Sequence, residues 1–163
     1  MFIQNSYRFG GAVAESRFII SVKTDNTGTS TDLQFTIPTS SSGTTGFNYD
    51  IETSDGQSIT GVTGDTTITF PSAGTYDIFI SGDFPYIKFD NTGDRLKLLE
   101  IKNFGIYGLG STVQQEAFYG CSNMDISATD SGNFGNVTSL SGTWLNCSSM
   151  TSFPLIDTSS VQT

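Results

Sequence analysis

The side chains best suited to chemistry are few, and their spacing limits what they can do. Asp50, Glu52 and Asp55 form the tightest acidic cluster. An extended strand puts Asp50 and Glu52 on one face, and two convergent carboxylates are what acid–base hydrolysis needs. Asp55, however, lies in Ser54-Asp55-Gly56, a turn signature, so the trio reads as a solvated strand face followed by a turn. Asp55, Asp125 and Asp130 offer loop oxygens of the kind calcium takes, but neither the EF-hand pattern nor a nonapeptide repeat is present. The chain has no histidine. Ser and Cys nucleophiles therefore lack their usual base, and the commonest transition-metal ligand is missing. Two cysteines cannot complete a structural zinc site alone. Gly105-Ile106-Tyr107-Gly108-Leu109-Gly110 has the glycines of a phosphate loop without its lysine, and reads as a turn. The expectation is a non-enzyme, with no catalytic residue, no cofactor and no metal.

The elements that carry these residues are read from composition first. The 163 residues include 13 Phe and 6 Tyr, enough to bury a core, and charged residues make up only 14%. Ser, Thr and Gly fill the rest, a bias toward strands and turns and away from helices. The net charge is −9. No basic residue lies between Asp25 and Ile87, and none follows Lys102. Phosphate backbones and anionic lipids need clustered Lys and Arg, so nucleic acid and membrane surfaces are not expected partners. No stretch is long enough to cross a bilayer. Met1–Ala14 lacks a basic region followed by an apolar run, so no secretory signal is expected there. On that reading the sequons Asn136-Val137-Thr138 and Asn146-Cys147-Ser148 are coincidental.

A short echo is the most informative pattern. Ala117-Phe118-Tyr119-Gly120-Cys121-Ser122-Asn123-Met124 returns 26 residues later as Thr143-Trp144-Leu145-Asn146-Cys147-Ser148-Ser149-Met150. Self-similarity at this period marks a solenoid, in which equivalent residues of successive coils stack. Cys121 and Cys147 then lie roughly one strand spacing, 4.8 Å, apart. A disulfide and a pair of buried thiols are both open, with stacked thiols the leading expectation. Core packing is the default for Phe118, Tyr119 and Trp144. An exposed stacking surface for glycan or receptor is the alternative, carried by Tyr119 and Trp144.

Upstream, period-two alternation predicts strands. It runs through Phe18, Ile20 and Val22, through Leu33, Phe35 and Ile37, and through Phe47, Tyr49 and Ile51. It resumes at Ile68 and Phe70, and at Tyr76, Ile78 and Ile80. Turn signals separate these runs, which argues for an antiparallel sandwich. Ile87-Lys88-Phe89 and Leu96–Ile101 are apolar runs with leucine-rich-repeat spacing. Glu116-Ala117-Phe118-Tyr119 is a candidate helical turn. Tyr76, Phe79, Phe84, Tyr86 and Phe89 are expected to pack the sandwich against the first coil.

The fold class expected is all-β: an antiparallel β-sandwich followed by a short leucine-rich-repeat solenoid. Residues 1–16 form an N-terminal anchoring arm broken at Gly10-Gly11, with Phe2, Tyr7, Arg8 and Phe9 as its anchoring side chains. Residues 17–83 form the sandwich. Residues 84–163 form the solenoid, expected to be incomplete at its C-terminal end because Asp157–Val161 reads as the opening of another coil.

The repeats Ala117–Met124 and Asn136-Val137-Thr138-Ser139-Leu140 are similar to those of BspA-type leucine-rich-repeat surface proteins, the family with a "Mycoplasma-type" repeat. Ala73–Gly82 resembles the end of the PKD-like or immunoglobulin-like sandwich that often precedes such repeats. Leu96–Ile101 followed by Phe104-Gly105 resembles the junction. Thr53-Ser54-Asp55-Gly56 departs from the Trp-Gly-Asp-Gly hairpin common in PKD-like domains. The resemblance covers roughly residues 17 to 163 and implies adhesion or surface display without enzymatic activity. Asn5-Ser6-Tyr7-Arg8-Phe9-Gly10 resembles the opening of some phage virion proteins.

The function expected is a non-enzymatic structural or binding protein of a phage particle, such as a head or tail fibre or a decoration protein. It would assemble in the host cytoplasm and reside in the virion, as an oligomer or part of a larger assembly. The arm would hold other virion proteins, and the body would serve assembly or host attachment. The alternative is a bacterial cell-surface adhesin fragment, extracellular, binding host protein or glycan.

Overall fold

A computed structural model of the chain describes residues 15–153 and 155–162. The arm residues Phe2, Tyr7, Arg8 and Phe9 lie outside the described residues. No helix occurs among the described residues, and the class is all-β. The strands are β1 (Phe18–Lys23), β2 (Gln34–Ile37), β3 (Asn48–Thr53), β4 (Ser58–Val62), β5 (Thr66–Thr69), β6 (Thr75–Asp83), β7 (Leu98–Asn103) and β8 (Asp125–Ile126). A six-stranded sheet has the order β4-β3-β6-β1-β7-β8, and β2 pairs with β5 in a two-stranded sheet. All pairings are antiparallel except β7 with β8.

Alternation builds the inner face. Tyr49, Ile51 and Thr53 of β3 are buried while Asn48, Asp50 and Glu52 are exposed. Ile78 and Ile80 of β6 face the same core as Phe18, Ile20 and Val22 of β1. Phe18 is the hub of this core. Its ring lies 4.6 Å from Tyr107, 5.8 Å from Phe84 and 6.5 Å from Phe104. Tyr107 in turn lies 5.8 Å from Phe118 and 6.0 Å from Phe134. One buried cluster thus runs from the first strands into the repeats, and β7 joins the sheet by pairing with β1.

From residue 87 the chain winds in three coils, 87–112, 113–138 and 139–162. The parallel β7–β8 pair is the first rung, with Glu100 opposite Asp125 and Ile101 opposite Ile126. On a second side, Thr112 N–H donates to Gly43 C=O, Thr138 to Thr112 and Gln162 to Thr138. On a third side, the N–H groups of Gln114, Glu116, Phe118 and Gly120 donate to Ser139, Ser141, Thr143 and Leu145, at 2.8–2.9 Å. The turn backbone repeats too. Asp90, Glu116 and Gly142 occupy equivalent places and have φ of 48°, 58° and 65°. Two of these are non-glycine residues in a region that L side chains rarely adopt, so the coil imposes the conformation against local preference.

Several local expectations change. Glu116–Tyr119 forms consecutive hydrogen-bonded turns, not a helical turn, because Glu116 is left-handed. Ile87 makes a single bridge to Thr39, and Ile87–Phe89 is not a strand. Leu33 is exposed, outside β2. The aromatic cluster divides: Phe84, Tyr86 and Phe89 are buried in the core, whereas Tyr76 stacks on Phe70 at 4.1 Å and Phe79 lies 4.6 Å below the Arg17 guanidinium.

Lys97 is fully buried. Its ammonium donates to Ser30 C=O, Ser30 Oγ, Thr31 C=O and Gln34 C=O at 2.7–3.1 Å. Asp94, equally buried, accepts from Thr29 N, Ser30 N, Ser30 Oγ and Thr36 N. A buried charge is tolerable only when saturated in this way. Burial pushes the Asp94 carboxyl up, but hydrogen bonds from Ser30 and Thr36 and the Lys97 charge outweigh it, so its pKa lies below the usual value. Together these two residues pin residues 29–36, the start of β2 included, to the first coil.

Candidate binding surface

The two aromatics expected to form a surface occupy different columns of the stack. Trp144 is the counterpart of Phe118, which is buried, and Tyr119 is the counterpart of Leu145. Trp144 turns toward the interior, 6.2 Å from Phe134 and 4.6 Å from Phe153. It is only half-buried because no fourth coil among the described residues covers it. Its indole Nε1 is buried and has no acceptor among the described residues. Tyr119 is half-buried, Leu145 is 52% exposed and Phe153 is 47% exposed. These residues give the third coil an apolar margin.

A cleft of about 440 Å³ opens elsewhere on the repeats. It lies between the Gly108–Gly110 turn, the 131–136 loop and Asp157. Asn133 is held there by Nδ2 donating to Gly105 and Tyr107 carbonyls. The Ser159 hydroxyl and N–H hold the Asp157 carboxyl below the usual range, and the N–H donates to it at 2.9 Å. Beside Leu109 and the glycines, the lining side chains are Ser131, Asn133, Asn136 and Asp157, the last its one charged group. The glycine run 105–110 is a turn, and its second half forms one wall of this cleft.

The acidic residues serve local structure. Asp50 accepts the Gly61 N–H at 2.8 Å, Glu52 accepts Arg17 at 3.0 Å, and Asp55 accepts the Thr53 hydroxyl and Gln57 Nε2. Asp130 accepts Phe104 N–H and Gly105 N–H from the coil below. Asp125 accepts the Thr151 hydroxyl and N–H, and these bonds hold its carboxyl down at about 2. No group of three or more metal-ligating side chains occurs among the described residues. Arg17, Lys23, Lys88 and Lys102 each pair with a carboxylate at 2.8–3.2 Å.

No family model matches this chain, and no curated protein or solved structure matches it either.

Cys121 and Cys147 stack as free, buried thiols. Cys147 Sγ donates to Phe118 C=O at 3.1 Å. Burial pushes the Cys147 thiol up to about 11 and the Cys121 thiol higher still, which suits packing and not nucleophilic attack. The equivalence of columns was available from the echo itself. The cleft was not, since its walls come from three separate coils.

Proposed function

We propose that this chain is a non-enzymatic structural and binding protein of a phage particle, a head or tail fibre or a decoration protein. The arm, residues 1–16, anchors it. A PKD-like or immunoglobulin-like sandwich over 17–83 supports a short leucine-rich-repeat solenoid over 84–163, of the BspA-like type. The solenoid presents the working surface in assembly or host attachment. The observation that carries this reading is the coil-to-coil hydrogen-bond ladder, which makes a rigid stack whose outward residues recur in columns. Stacked repeats create extended surfaces in place of a single reactive pocket, and Asp125, Asp130 and the two thiols serve that stack.

Deleting residues 1–14 tests the setting and spares Glu15 and Ser16, whose carbonyls accept from Asn103 Nδ2 and Ile106 N–H. The expected result is loss of incorporation into particles with an unchanged urea midpoint of the isolated protein. Incorporation at the full level would remove the particle reading. Incubation with glycans and peptides is expected to release no product, and turnover would overturn the non-enzymatic reading.

The second reading is a bacterial surface adhesin fragment that binds host protein or glycan. The cleft favours it, because the Asn133 and Asn136 amides, the Ser131 hydroxyl and the Asp157 carboxylate suit a hydroxyl-rich ligand. Amide shifts at Gly108, Gly110 and Gly135 on adding oligosaccharides would support it.

A further inference from the structure

We infer that the cleft on the repeats takes a protonated amino sugar, with its ammonium on Asp157 and its hydroxyls on the surrounding amides. The inference rests on the reading of this cleft as a site for a hydroxyl-rich ligand, and it names the class of sugar. A volume of about 440 Å³ falls among small-ligand sites, which run roughly 300–1,000 Å³.

Position comes first. Gly108–Gly110 belong to the first coil, 131–136 to the second and Asp157 to the third. A hollow walled by three successive coils lies along the flank of the stack. A further coil stacked on the third would lengthen that flank without filling the hollow. A Cβ at Gly135 would stand 3.1 Å from Asp157 Oδ2. Glycine at that place leaves this oxygen uncovered on the side of the wall.

Asp157 sets the sign of the ligand's charge. It is exposed, and Ser159 supplies its hydrogen bonds. A carboxylate has about four acceptor positions, so capacity remains for an incoming donor. No Lys or Arg lines the cleft. The cations of the first coil are engaged elsewhere: Lys88 pairs with Glu116, Lys102 pairs with Asp77, Lys97 is buried and Arg95 packs at Gly120. No basic residue follows Lys102, whereas Glu116, Asp125, Asp130 and Asp157 do. A cationic ligand meets an unanswered negative charge here, and an acidic sugar would be repelled.

The rest of the lining calls for hydroxyls. Asn133 Nδ2 is spent on the Gly105 and Tyr107 carbonyls, which leaves its Oδ1 as an acceptor. Ser131 and Asn136 are exposed. The N–H groups of Gly110, Gly132 and Gly135 have no acceptor among the described residues. A bare alkylammonium uses the carboxylate and little else, whereas a sugar ring uses donors and acceptors together. Its C–H face has Leu109, 59% exposed, to lie against. No aromatic platform lines the cleft, so weak binding is expected.

The test titrates the full 163-residue chain with methyl glucosaminide at about pH 6, where an amine of this kind is protonated. NMR shifts are read at the amides of Gly108, Gly110, Gly132 and Gly135. The expected Kd is about 0.5–5 mM. The N-acetyl derivative and methyl glucoside, which lack the charge, should bind at least about fivefold more weakly. Asp157→Asn keeps an acceptor for the Ser159 N–H and should abolish that preference. Gly135→Ala should weaken the amino sugar by pressing on Asp157 Oδ2. Asp50→Asn removes the same charge from β3 and should leave the Kd unchanged.

Equal binding of charged and neutral sugars would overturn the inference and leave the hydroxyl-rich reading standing. Absence of shifts with every sugar up to about 50 mM would remove both. Equal binding of N-acetyl-lysine amide would overturn the inference by assigning the cleft to lysine side chains of a protein partner. The chain's own residues 1–14 lead into Glu15, whose C=O accepts from Asn103 Nδ2 close to the Gly105 turn. A gain of about tenfold or more in sugar affinity on deleting them would assign the cleft to that segment instead.

Discussion

The six-stranded sheet and the three coils are both held by backbone hydrogen bonds, yet they solve the edge problem differently. In the sheet, neighbours come from distant sequence and run antiparallel, so each strand needs its own alternation to choose a face. In the coils, neighbours are 24 to 26 residues apart in the ladder from Thr112 to Gln162, and one local pattern serves every layer. β7 belongs to both systems: antiparallel to β1 on one side, parallel to β8 on the other. A strand sheet terminates at a short, mostly polar edge, β4. Among the described residues, the coil stack ends on a donor row without acceptors.

That contrast gives graded predictions. The largest effect is expected at Phe18, where both systems share a core. Phe18→Ala should cost about 3–5 kcal/mol and leave a single cooperative urea transition. Two separated transitions would divide the molecule into independent units. Lys97→Met should cost nearly as much, about 3 kcal/mol, because the carbonyls of Ser30, Thr31 and Gln34 lose their donor and Asp94 loses a nearby positive charge. A cost near zero would make the packing of residues 29–36 incidental to the first coil.

Within the coils, Gly142→Ala should cost about 1 kcal/mol, the penalty of a left-handed alanine. Gly142 has φ of 65°, and an added methyl would press on Glu116 Cγ. Glu116→Gly at the equivalent place should relieve the same penalty, less the loss of its 3.2 Å pair with Lys88. Opposite signs in urea denaturation would sharpen the repeat, and equal signs would break it.

Acid acts on the coils through Asp125. Its folded pKa is depressed from the ordinary 3.8 to about 2. The unfolded chain therefore binds this proton first as pH falls, and the stability it contributes is present above about pH 4. That contribution is lost progressively down to about pH 2, and Asp125→Asn should remove this component of the pH dependence of Trp144 fluorescence. The smallest effect is kinetic: Cys121 and Cys147 should resist alkylation at pH 8 and react only after urea unfolding.

Much of this arrangement was legible in the sequence where pattern and physics coincide. Phe18, Ile20 and Val22 alternate because one face of β1 is dry, and the Cys-Ser-x-Met echo marks equivalent turns of the second and third coils. β4 left no such mark: it is an edge strand with half-buried Ile59 and Val62 among exposed neighbours, so alternation is weak. Nothing local marks Asp94 and Lys97 as buried. Their burial depends on acceptors and donors 58 to 67 residues away, which no local pattern reveals. Asp90 hid the first coil's turn, since aspartate does not advertise a left-handed backbone as Gly142 does. Tyr119 and Trp144 were paired by type, whereas the fold sorts them by column.

Native-state amide hydrogen exchange read residue by residue is the most direct test of the stacked-coil account. Gln114, Glu116, Phe118 and Gly120 should be strongly protected, while Leu140, Gly142, Trp144 and Asn146 exchange at close to unprotected rates. Equal protection of both rows, or of neither, would contradict a stack with one covered edge and one open edge.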